Sequence, residues 1–89
     1  MRGLLGRREL PRGEGLLLRP AASIHTFFMR FAIDAVFLDA DGVVVAIEPE
    51  LPPWRVAGRR GARAVVELSA GEAARRSLAP GDRLVLAAR

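Results

Sequence analysis

The chain has 89 residues, 51% of them hydrophobic and 27% charged, with no cysteine. That suits one globular domain, and it excludes a disordered chain, a disulfide framework and any cysteine-based nucleophile or metal site. The formal charge is +4, and all fourteen basic residues are arginine; such a surplus is ordinary for solubility and permits contact with phosphates without arguing for it.

No apolar run approaches the roughly 18 residues that span a bilayer, because Asp39 and Asp41 interrupt the longest one. Gly6, Arg7 and Arg8 break any apolar stretch behind Arg2, so no signal-peptide pattern is read. The expectation is a single domain over residues 1–89, without a membrane span and cytoplasmic.

In chain order, Met1 to Leu10 reads as one or two helical turns or a loop. Pro11, Gly13 and Gly15 punctuate the chain, and Leu16–Leu18 form a short strand stopped by Pro20. Ser23 to Arg30 is rich in aromatic and β-branched residues and reads as a strand. Alternation gives both of its faces large apolar residues, which predicts a central strand buried on both sides.

Asp34 to Ile47 is the clearest signal: two apolar runs, Ala35–Leu38 and Val43–Ile47, flank Asp39-Ala40-Asp41-Gly42. Glycine accepts positive φ without steric cost, so the segment is a β-hairpin. Glu48 to Gly61 holds three prolines and two glycines and reads as a loop. Ala62–Leu68 is a strand, and Ser69-Ala70-Gly71-Glu72 matches a capping box in front of a short helix over about residues 70–77. Ala79-Pro80-Gly81-Asp82 suits a type II turn, and Arg83–Ala88 is a last strand. The sum is a mainly β chain, a small β-sandwich or partly open barrel of mostly antiparallel strands with one short α-helix.

Several segments also resemble a known family. Ser23-Ile24-His25-Thr26-Phe27-Phe28-Met29-Arg30-Phe31, then Ile33-Asp34 and Val36-Phe37-Leu38-Asp39, resemble the prokaryotic domain of unknown function 192. Arg2-Gly3-Leu4-Leu5-Gly6-Arg7, Pro53-Trp54-Arg55, Val66-Glu67-Leu68-Ser69-Ala70-Gly71 and Gly81-Asp82 extend the likeness in order across nearly the whole chain. The resemblance implies a compact β-sandwich-like fold and no activity, since that family has no established substrate, cofactor or partner. It also implies a proline where this chain has Ala32, a cysteine near Ala21, and a further strand ahead of Arg2.

Candidate site residues follow from side-chain chemistry. His25, the single histidine, has the chemistry of a general base or metal ligand; a lone histidine is more often a satisfied core residue, and that reading is preferred. Arg30 and Asp34 suit either a buried ion pair or a polar cluster with His25, in which Arg30 grips an anion through its planar fork and Asp34 orients the imidazole. Alternation sets His25 and Arg30 on opposite strand faces, so the structural reading is again preferred. Asp39 and Asp41 lack the further oxygen ligands of a calcium loop and belong to the hairpin turn. Trp54 and Arg55, with Arg59, Arg60 and Arg63, suit either a phosphate-tracking loop or a solvated loop with its indole on the core. Pro52-Pro53-Trp54 would also serve as an apolar platform for a partner.

No phosphate loop, nucleophile elbow or metal motif is present in the sequence. The expected function is therefore a non-catalytic binding or accessory module. Its shallow polar–aromatic site is formed by His25, Arg30, Asp34, Trp54 and Arg55, without cofactor or metal, and takes a small anion or a peptide. A hydrolase or lyase using His25 with Asp34, and weak nucleic-acid binding through the arginines, are the alternatives.

Overall fold

The structure, a computed structural model, describes residues 7–10 and 15–86. Its elements are β1 (Arg7–Leu10), β2 (Leu16–Leu18), β3 (Ser23–His25), β4 (Ile33–Leu38), β5 (Val44–Leu51), β6 (Val56–Gly58), β7 (Ala64–Ser69), α1 (Glu72–Arg75) and β8 (Arg83–Leu86). The centre is an antiparallel four-stranded sheet in the order β2-β7-β4-β5. An antiparallel ribbon of β3 and β6 and a parallel pair of β1 and β8 complete the strands. Among the described residues the sheets do not close into a barrel, and the expected mainly β fold with one short helix holds.

β4 and β7 occupy the middle of the sheet because their residues are apolar on both faces. Val36, Leu38, Val66 and Leu68 point to one side and pack with Ala73 of α1 and Leu84 of β8. Ile33, Ala35, Phe37 and Val65 point to the other and pack under Ile24 of β3 and Ala57 of β6. Each buried face removes apolar area from water at about 25 cal/mol per Å².

The hairpin forms where expected. Asp39 Oδ1 accepts from the Asp41 and Val43 amides at 2.8 and 2.9 Å, and Gly42 sits at φ 82°. The Asp82 amide donates to the Ala79 carbonyl at 3.1 Å with Gly81 at φ 96°, the geometry of a type II turn.

Four expectations are corrected. Arg7–Leu10 is a strand, not a helical turn or loop; residues 1–6, the punctuation at 11–14 and the remainder of the last strand, 87–88, lie outside the described residues. Ser23 to Arg30 is not a central strand. Pairing ends at His25, and the chain turns as the Met29 amide donates to the Thr26 carbonyl at 3.2 Å. Glu48 to Gly61 is not all loop: β5 runs on through Pro49 to Leu51, and Val56–Gly58 form β6. Proline is tolerated there because β5 is an edge strand.

The fourth correction concerns α1, which spans only Glu72–Arg75 and has no capping serine. Gly71 takes a left-handed φ of 89° at the N-cap, which places Ser69 out of reach of the helix amides. Glu72 turns outward to pair with Arg75 and Arg76. The helix start is held from across the fold, by Asp34.

Candidate functional site

Asp34 is the second residue of β4 and is fully buried. Opposite it, β5 carries an extra residue: Ile33 pairs with Leu51 but Ala35 with Glu48, leaving Pro49 and Glu50 across from one β4 residue. Glu50 takes a positive φ of 49° in this bulge. Its displaced amide donates to Asp34 Oδ1 at 2.8 Å. The Gly71 amide donates to the same oxygen at 3.1 Å, and the Ala73 amide to Oδ2 at 2.8 Å. Both carboxylate oxygens are thus spent on backbone amides, which is how a buried carboxylate offsets its desolvation. No hydrogen bond or ion pair joins Asp34 to His25 or Arg30, and Arg30 is exposed.

The other expected residues gather at a corner between the segment after β3 and the segment before β6. Thr26 is its hinge pin. Fully buried, its hydroxyl donates to the Pro52 carbonyl at 2.7 Å and accepts from the Arg55 amide at 2.9 Å. Its backbone amide donates to the Arg55 carbonyl at 2.8 Å, and its carbonyl accepts from the Trp54 amide at 3.0 Å. Every polar group of Thr26 therefore ties the two segments together.

Held this way, the aromatic side chains stand outward. Trp54 is 56% exposed and Phe28 81% exposed, and both have left-handed backbones, at φ 65° and 68°. Bulky residues rarely adopt that conformation, which costs about 1–3 kcal/mol each, and such strain tends to cluster at functional sites. Phe27 stacks on the indole at 5.5 Å between centroids, and Phe28 meets it edge-on at 4.8 Å. The His25 ring lies 4.8 Å from that of Phe27, and its Nδ1 accepts from the Phe27 amide at 3.3 Å. His25 is exposed, so the preferred reading of it as a core histidine is corrected: β3 ends there, with one face open.

Arg55, next to Trp54 in sequence, and Arg30, two residues after Phe28, are both exposed. Among the described residues, the Arg55 guanidinium makes one long contact, to the Trp54 carbonyl at 3.5 Å. The remaining arginines of the loop are not a uniform basic strip. Arg59 pairs with Glu48 at 2.9 Å and lies over the Phe37 ring at 5.6 Å. Among the described residues, no cluster of three or more His, Cys, Asp or Glu could hold a metal ion, and no helix is long and apolar enough to cross a membrane.

The structure therefore brings together His25, Trp54 and Arg55, leaves Arg30 exposed beyond Phe28, and sends Asp34 to the core. Sequence reasoning missed Phe27, Phe28 and Thr26. Their signal was present in Thr26-Phe27-Phe28, but a run of aromatics is ordinarily a sign of burial. It also missed Glu67, the one charge inside the otherwise apolar Ala64–Leu68.

Comparison with known proteins agrees with this picture of fold. Residues 1–86 match the family described as Uncharacterized ACR, the domain of unknown function 192. A UPF0127 protein of Pyrococcus furiosus is 42% identical over 64 residues, covering 71% of this chain and 54% of the relative. A crystal structure of a protein of unknown function from Novosphingobium aromaticivorans superposes with a TM-score of 0.70 at 26% identity, over 78% of this chain and 54% of that one. The chain thus spans about half the length of either relative.

Proposed function

We propose that this chain, which belongs to the domain of unknown function 192 family, is a non-catalytic binding module that presents His25, Arg30, Trp54 and Arg55, with Phe27 and Phe28, to a peptide or small anion. The observation that carries the reading is the pair of strained, outward-facing aromatics: Phe28 and Trp54 bear the cost of a left-handed backbone and are left largely in water. A chain under selection for stability alone would hold glycine at such positions and apolar rings inside. Tryptophan and arginine side by side on an exposed surface are the commonest anchors of protein interfaces. Asp34 enters the proposal as a positioning residue, since it fixes Glu50 and hence the start of the segment leading to Trp54.

Catalysis by His25 with Asp34 has little support, because both oxygens of Asp34 are occupied by amides. The cytoplasm remains the expected compartment on the sequence pattern.

The test is an amide-resolved NMR titration of the labelled protein with inorganic phosphate, pooled carboxylate metabolites, a short peptide pool and a short oligonucleotide. The proposal expects saturable shifts at His25, Phe27, Phe28, Arg30, Trp54 and Arg55 with phosphate, the carboxylates or peptide. Shifts confined to Arg55, Arg59, Arg60 and Arg63 with the oligonucleotide, fading in salt, would replace it with a nucleic-acid reading. Unfolding of His25→Ala and Arg30→Ala would make both residues part of the fold and sink it.

A further inference from the structure

Glu67 is the one charged residue of β7. It stands on β7 on the same face as Val65, cross-strand from Leu16 on one side and Ala35 on the other. The side chain is half-buried, and among the described residues no hydrogen bond or ion pair reaches it. Burial pushes its carboxyl above the ordinary glutamate range, and the positive charge of His25 pulls the other way.

Beyond the end of the β3–β6 ribbon this face of the sheet opens into a shallow depression of about 350 Å³. Its walls are Leu16, Met29, Phe31 and Ile33, with Glu67 and Ser69 as polar groups. The chain path explains the space: the turn after Thr26 carries the chain past at Met29–Phe31 instead of continuing β3.

The chemistry of this lining is selective. A carboxylate among apolar groups has lost part of its hydration and gained no donor in exchange. An anion is repelled and a neutral apolar group leaves the carboxylate unpaired. A cation on an apolar stem satisfies both features, because the head supplies charge-assisted donors and the methylenes lie on apolar walls. A compact ammonium fits a single carboxylate without the paired geometry that a guanidinium prefers.

We propose that this depression binds a primary ammonium group carried on a short apolar stem, with Glu67 as its counter-ion and Met29, Phe31 and Ile33 against the stem. The site differs from the aromatic corner in its wall and its ligand class, although His25 acts electrostatically on Glu67.

Titration of the labelled protein with n-butylammonium, followed at the Met29 methyl and the Glu67 and Leu68 amides, tests it. Saturable shifts are expected, with n-butanol binding at least about tenfold more weakly and butyrate not at all. Glu67→Gln, isosteric and without charge, should fold and lose about tenfold in affinity. Phe31→Ala, a change at an exposed ring, should weaken binding without loss of fold, and Trp54→Gly should leave it intact. A capped lysine peptide that saturates the same signals assigns the ammonium to a protein side chain; butylammonium binding without it assigns a free amine. Equal binding of n-butanol and n-butylammonium, an unchanged affinity in Glu67→Gln, or no saturable shift overturns the proposal.

Discussion

The Asp34 junction and the Trp54 corner break the same rule in opposite directions. At Asp34 a charge lies in the core; at the corner, aromatic rings lie in water. The first departure is fully compensated, since three backbone amides from the β5 bulge and the α1 start converge on the carboxylate. The second is compensated only in its backbone, through Thr26, while Phe28 and Trp54 keep their strain and their exposure. A polar group satisfied inside is what a fold needs. Apolar groups held outside by a satisfied polar frame are what a partner needs.

The contrast breaks most visibly at Asp34. Asp34→Ala strands the amides of Glu50, Gly71 and Ala73 and should cost about 3–4 kcal/mol of stability in chemical denaturation. Thr26→Val removes the hydroxyl that serves both the Pro52 carbonyl and the Arg55 amide. A loss of about 1–3 kcal/mol is expected, with the Trp54 fluorescence shifted because the corner loosens. Phe28→Gly should leave stability unchanged or raise it by about 1 kcal/mol, since glycine relieves the left-handed strain and the ring buries little.

The smallest effect belongs to Glu67→Gln and appears as pH dependence. In the folded protein the Glu67 carboxyl titrates above its ordinary range. Between the unfolded and folded values the native state binds more protons than the unfolded one, so stability falls as pH rises through that window. Glu67→Gln should flatten this slope, with the gap to the parent absent below the ordinary glutamate range and widening above it. Thermal unfolding at a series of pH values measures it.

What was legible in the sequence was what is local. The hairpin at Asp39–Gly42 and the turn at Ala79–Asp82 are specified by residues within four positions of one another, and both formed as read. The capping box failed because Gly71 adopts a left-handed backbone and the real cap comes from Asp34, 37 and 39 residues away. No local pattern reports such a partner. Ser23–Arg30 was misread because alternation assumes that large apolar side chains seek the core, which Phe27 and Phe28 do not. His25, Trp54 and Arg55 were chosen on chemistry and do come together, but the frame that gathers them, Thr26, is a residue type that sequence patterning treats as neutral.

On this comparison the aromatic corner is separable from the fold and the Asp34 junction is not. The most direct measurement is parallel chemical denaturation of the parent, Asp34→Asn and the double variant Phe28→Gly/Trp54→Gly. A clear loss is expected for Asp34→Asn, whose amide cannot accept at both terminal atoms, and a double variant within about 1 kcal/mol of the parent, because relieved strain offsets lost ring contacts. A double variant as destabilised as Asp34→Asn would make the corner part of the core.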